Sequence, residues 1–218
     1  MEKINEKNHL ICENIYEQTC FTGEEKRLED IVETIESGSR PSGGAVDFGV
    51  PSIGAEKIEK FGKYNFEKEC YIPIDYFNKI KKGIVKSKDV LLYKDGAYAG
   101  KVSMAFDGFP YEKCAINEHV FILRTKTSKH QLFLYFTLNN QNVMTSIHNI
   151  AASKAAQPGL NQRELLDTEI FVPTATVLDD FENKASRFIE LIKNNATEIR
   201  LLRELKNNII LSISGEVS

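Results

Sequence analysis

The chain has no run of eighteen apolar residues, so no membrane-spanning helix is expected. Met1 to Leu10 is polar and charged and lacks the apolar centre of a signal peptide. The cysteines, Cys12, Cys20, Cys70 and Cys114, lie 8, 50 and 44 residues apart. No pair has metal-ligand spacing, so reduced thiols in a cytoplasmic protein are expected rather than a disulfide framework. Catalytic signatures are missing too. There is no HExxH, no GxSxG and no cysteine with a motif-placed histidine. Asp-Pro-Pro-Tyr and Asn-Pro-Pro-Phe, which base-amino methyltransferases use at a flipped base, are absent, as is a glycine-rich loop for a methyl donor. The glycine-rich stretch Ser37 to Gly44 lacks the GxxxxGK[ST] spacing of a nucleotide-binding loop. Glu118-His119 could form an acid–base pair, but sequence neighbours on a strand point apart, so a buried, satisfied histidine is the expectation. No catalytic residue, metal or cofactor is expected.

Net charge is small in total and uneven in place. The net charge is −3, which by itself argues against a polyanion partner. Residues 1–36, however, hold ten acids and four bases. From His119 to Arg163 there is no acid, against five Lys or Arg and three His. From Lys79 to Lys101 there are seven Lys and two Asp. The middle of the chain is locally basic, and local fields draw a polyanion.

What is present in strength is a C-terminal helical pattern. Ala185, Ile192, Ile199, Lys206 and Ile213 fall on one heptad position, and Phe181, Phe188, Asn195, Leu202 and Ile209 on the other. Eight of these ten are apolar, and no Pro or Gly interrupts Asp179 to Ser214. The pattern predicts a rod of roughly 50 Å that lies against another helix. Asn195 and Lys206 in the seam read as register devices, useful when the partner is another chain or segment.

The rest predicts one α+β globule with this stalk. Met1 to Arg27 reads as an acidic arm or short helical lead-in. Leu28, Ile31, Val32 and Ile35 repeat at helical spacing, with Gly38 as a stop. Short strands are expected over 49–55, Val90 to Tyr93, Val120 to Leu123 and Ile170 to Val172. Asp95-Gly96 marks a hairpin returning through Ala97 to Ala105. A helix is expected between roughly Lys129 and Ile150, and a helical turn over Arg163 to Leu166.

These residues assemble in a telling order. Ile35-x-Ser37-Gly38-x-Arg40-Pro41 precedes Gly49-x-Pro51-x-Ile53-Gly54. Lys88-Asp89-Val90-Leu91-Leu92, Lys94-Asp95-Gly96-Ala97 and Gly100-Lys101 follow. Asn117-Glu118-His119 leads into a strand ending at Arg124, and Gln157-x-Gly159-Leu160-Asn161 precedes Leu165 and Pro173. Over roughly Leu28 to Gly215 the chain resembles a target-recognition domain plus spacer helix of the specificity (S) subunit of type I restriction-modification systems. The resemblance implies a non-catalytic reader of double-stranded DNA that docks methyltransferase subunits and, through them, the motor-nuclease subunits. After the N-terminal arm over 1–27, it implies a recognition domain over 28–175 and a spacer and dimerisation helix over 176–218. The usual member carries two such domains and two such helices, and this chain carries one of each.

A DNA reader needs Lys and Arg for phosphates and Asn, Gln, Arg or Lys for base edges. Arg40, Ser42, Lys94, Tyr98, Lys101, Lys154, Gln157 and Arg163 are the candidates. Phe181, Phe188, Ile192, Ile199, Leu202, Ile209 and Ile213 are the candidate partner-helix seam, with a second copy of the chain as the expected partner. Antiparallel rods would place two recognition domains at opposite ends, which predicts a palindromic target in two halves with an unread gap. The competing reading is a coiled-coil adaptor that binds protein, supported by the acidic start and by 18 bases against 18 acids over residues 28–175.

Overall fold

The computed structural model describes residues 1–20, 23–96, 99–153 and 159–215, with side chains up to residue 213. In chain order the elements are α1 (Glu2–Cys20), β1 (Glu24–Arg27), α2 (Leu28–Ile31), β2 (Val32–Ser37), β3 (Val50–Ile53), β4 (Tyr71–Ile72), α3 (Ile74–Phe77), β5 (Val90–Tyr93), β6 (Val102–Met104), β7 (Ala115–Ile116), β8 (Val120–Thr125), α4 (Gln131–Asn139), α5 (Gln141–Ala152), α6 (Gln162–Leu166), β9 (Glu169–Val172) and α7 (Ala175–Gly215). The class is α+β, a strand-rich body followed by one long helix. Among the described residues no helix is long and apolar enough to cross a membrane.

The central sheet has the order β2-β8-β5-β6, antiparallel throughout. Its middle strands are apolar at nearly every position because both faces are covered. Alternation sorts the side chains. Val90, Leu92, Phe121 and Leu123 join the main core with Leu132, Phe133 and Phe136 of α4. Leu91, Val120 and Ile122 face the other way, into a smaller core with Ile53, Cys114 and Ile116. One polar knot crosses the sheet. Arg124 donates from Nε and Nη2 to Asp89 at 2.6 Å each, and from Nη1 to Glu36 at 2.6 Å. This fork ties the segment before β5 to β2 and β8, each of the three charges meeting an opposite one.

Three local expectations change. The helical pattern from Leu28 splits after Ile31, and Val32 starts β2 instead. Val32, Thr34 and Ile35 are β-branched, and pairing with β8 satisfies their backbone. The expected single helix from Lys129 is two, α4 and α5, broken at Asn140 with ψ 135°. Asn140 caps α5 by accepting from the Asn142 amide at 3.0 Å. The expected return strand from Ala97 shortens to β6.

The largest difference is at the start of the chain. The expected arm or short helical lead-in is a 19-residue helix packed into the core, and β1 after it pairs antiparallel with β9. The buried stripe of α1 is Asn5, Asn8, His9, Cys12, Tyr16 and Cys20, which is too polar to register as an apolar period. It runs antiparallel to α7. Tyr16 meets Phe181 edge-on at 5.8 Å, Cys12 Sγ lies 3.8 Å from the Ala185 carbonyl, and Asn195 donates to Asn5 at 2.8 Å. The seam partner of the first half of α7 is therefore a segment of the same chain. Leu178, Phe181, Ala185, Ile189, Ile192 and Ala196 are buried, while Phe188 and Ile199 are half-buried. Beyond Arg200 the cover ends: Leu202 is 50%, Ile209 48% and Ile213 61% exposed.

This division sets an expected contrast. Phe181→Ala opens a cavity in the core and should cost about 3–5 kcal/mol. Ile209→Ala in dilute chain should change stability by no more than about 0.5 kcal/mol. Urea unfolding of both variants measures it, and equal losses would contradict the placement of α7.

A pH dependence follows from Glu182, which accepts from the Phe133 amide at 2.9 Å near the start of α4. Burial pushes its carboxyl up from 4.5 to about 7, against the pull of that amide and of Lys88. The folded state holds this proton more tightly than the unfolded chain does. The group's stabilising contribution is therefore complete below about pH 4.5 and is lost as pH rises through about 7. Glu182→Gln should flatten the fall in urea midpoint across that window, and an unchanged fall would contradict it.

Candidate nucleic-acid interface

Antiparallel order puts the ends of β2 and β5 and the starts of β6 and β8 at one end of the central sheet. The register is Ser37 with Phe121, Tyr93 with Val120, and Leu92 with Val102. The loops over residues 38–49, 94–101 and 117–119 emerge there together. A fourth segment joins them: Asp95 bridges Gly159, and the Leu160 amide donates to the Lys94 carbonyl at 2.7 Å. Gly38 makes the first loop possible. A Cβ at that position would collide with the carbonyl oxygens of Ile116 and Asn117.

Arg40 and Ser42 lie on the first loop, and Ser42 is exposed. Arg40 is 60% exposed, with Nη2 2.6 Å from Glu118 Oε1. Lys94 lies over the Phe121 ring, 5.1 Å from its centroid, and Lys101 is exposed on the same hairpin. Tyr98, Lys154 and Gln157 lie outside the described residues, on segments whose flanks belong to this sheet end. Arg163 is elsewhere. It pairs with Glu29 at 3.0 Å and Asp167 at 2.8 Å, beside Arg27 and before the start of β2. Its ion pairs link α2 to α6, away from the sheet end that carries the other candidates.

Sequence reasoning missed the polar chain that organises this end. His119 Nδ1 is 2.8 Å from Asp95 Oδ2, and its Nε2 is 3.4 Å from Glu118 Oε1. The Asn117 side chain accepts from the His119 amide at 3.0 Å. His119 is 42% exposed, not buried, because Asn117 to His119 turn before β8 begins. In that turn Glu118 and His119 do meet. The signal was the Asn-Glu-His triplet itself, read as strand. Between the first loop and the β3–β4 pair lies a cleft of about 250 Å³ lined by Arg40, Ser52, Glu56, Tyr71 and Asn117. Among the described residues no group of His, Cys, Asp and Glu is placed to hold a metal.

No protein-family model matches the chain, and no curated protein matches it. Solved structures do. The HsdS subunit from Thermoanaerobacter tengcongensis is 13% identical with TM-score 0.53, over 92% of this chain and 50% of that one. The type I restriction-modification S subunit from M. genitalium is 12% identical with TM-score 0.56, over 94% of this chain and 54% of that one. The fold is that of the type I specificity subunits. A structure described for complex assembly and conformational transition of the type I R-M system is similar too, at 14% identity and TM-score 0.53, over 96% of this chain and 50% of its own. The chain spans about half the length of each of the chains it matches. The α1–α7 pair and the strand-rich body together carry the likeness, since more than nine-tenths of the chain is matched.

Proposed function

We propose that the chain is a non-catalytic DNA specificity subunit that reads one half of a target and docks methyltransferase subunits. The observation that carries this is the convergence of the Arg40, Lys94 and Lys101 loops at one sheet end of a specificity-subunit fold. Arg40 and the lysines supply N–H donors and positive charge, which are what base edges and phosphates require. Ser42, Tyr98, Lys154 and Gln157 belong to the same set by their places on the chain.

The exposed stripe of Leu202, Leu205, Ile209 and Ile213 is the surface that calls for a second helix. Burying a Leu or Ile there contributes on the order of 1.5–3 kcal/mol. A second copy, antiparallel and related by a two-fold axis, covers the stripe symmetrically and presents two reading domains. Methyltransferase subunits would dock around this central rod.

The test is salt-dependent binding to duplex DNA by the chain together with its methyltransferase subunit. Lys94→Glu with Lys101→Glu should weaken binding to all sequences alike and flatten the salt slope by about one unit for each phosphate no longer gripped. Binding that is independent of salt, or absent, would favour the protein-binding adaptor instead.

A further inference from the structure

A charged residue that reads a base and one that grips a phosphate differ in what they are paired with. We propose that Arg40 is a base-reading residue, held in place by Glu118, and that it recognises the major-groove edge of a guanine. The proposal rests on the DNA-reading function above and names the specificity-determining residue within it.

Arg40 Nη2 sits 2.6 Å from Glu118 Oε1 while the residue's side chain stays 60% exposed. Glu118 is itself placed by His119 Nε2 at 3.4 Å, and His119 by Asp95 at 2.8 Å. Asp95 is bridged to Gly159, and the His119 amide is held by Asn117. The guanidinium is thus anchored through side chains to the ends of β5 and β8, the two strands buried on both faces. Base recognition calls for side chains supported in this way by neighbouring polar groups.

The charge balance points the same way. Arg40 carries +1 against −1 on each of Glu118 and Asp95, so the group has no net positive charge whether or not His119 carries a proton. A phosphate contact draws on net positive charge, and this group has none. A base edge asks instead for donors in fixed positions. Guanidinium has five N–H donors in a planar fork, and the ion pair with Glu118 is made at Nη2. Guanine offers two adjacent acceptors, O6 and N7, which such a fork meets two at a time. Lys94 lies over the Phe121 ring, with no acid paired to it among the described residues.

The chain with its methyltransferase subunit is mixed with a random-sequence duplex library, and bound duplexes are sequenced at several salt concentrations. Wild type should show a guanine preference at a position within the half-site. Arg40→Lys keeps the charge and loses the fork. It should lower that one preference about ten- to a hundredfold, leaving other positions and the salt slope unchanged. Glu118→Ala should erode the same position. Glu118→Gln, whose amide oxygen still accepts from Arg40, should retain more of it. Uniform weakening of all sequences with a flatter slope in Arg40→Ala would make the residue a phosphate contact and overturn the proposal. A lowered melting temperature with an unchanged base profile would make it a structural contact and do the same. A wild-type complex that selects no duplex at all would instead remove the DNA-reading function on which the proposal stands.

Discussion

Tyr16, Phe136 and Phe181 bring three helices to one point. Their ring centroids are 6.1 Å apart between Tyr16 and Phe136 and 5.8 Å for each contact with Phe181. Through them α1 and α4 hold the first half of α7, and α4 in turn covers one face of the central sheet. Together with the Glu182 carboxyl on the Phe133 amide, this contact sets the direction of the long helix relative to the strands. With it, the second half of α7 must project beyond α1 as an apolar rod. The exposed stripe is thus a consequence of where α1 stops covering it, and the helix serves two surfaces along one length.

The same packing orients the sheet end that carries the polar loops. β5 and β8 are buried on both faces, so the freedom left to their ends is in the connecting turns. Arg124 with Asp89 and Glu36 secures one side of these strands, and the Asp95–His119–Glu118–Arg40 chain secures the other. A body with 18 bases and 18 acids over residues 28–175 can still serve a polyanion, because its acids are paired where geometry matters. In the proposed reader, lysines would supply field and a held guanidinium would supply shape.

Legibility in the sequence followed burial. Val90 to Tyr93, Val120 to Leu123, the Asp95-Gly96 turn and the long helix were readable because apolar runs and turn residues report directly on two-sided covering and reversal. α1 was not, since its buried face uses Asn5, Asn8 and His9 in place of aliphatic residues. The break at Asn140 was hidden for a related reason: an asparagine cap looks like any polar position until the chain bends there. The loops of Arg40, Ser42, Lys94 and Lys101 were legible because turn residues mark them, and antiparallel strand order brings those loops to one sheet end. Arg163 does not join them, because pairing with Glu29 depends on α2 and α6 coming together, and no local spacing encodes that contact.

The central claim is one reading domain per chain, doubled by pairing of α7. Base-resolution mapping of the methyl groups that the complex of this chain with its methyltransferase subunit leaves on DNA tests it most directly. The account predicts one half-site repeated in inverted orientation, with an unread gap of fixed length between the copies. Two unrelated half-sites, or a single undivided target, would contradict it.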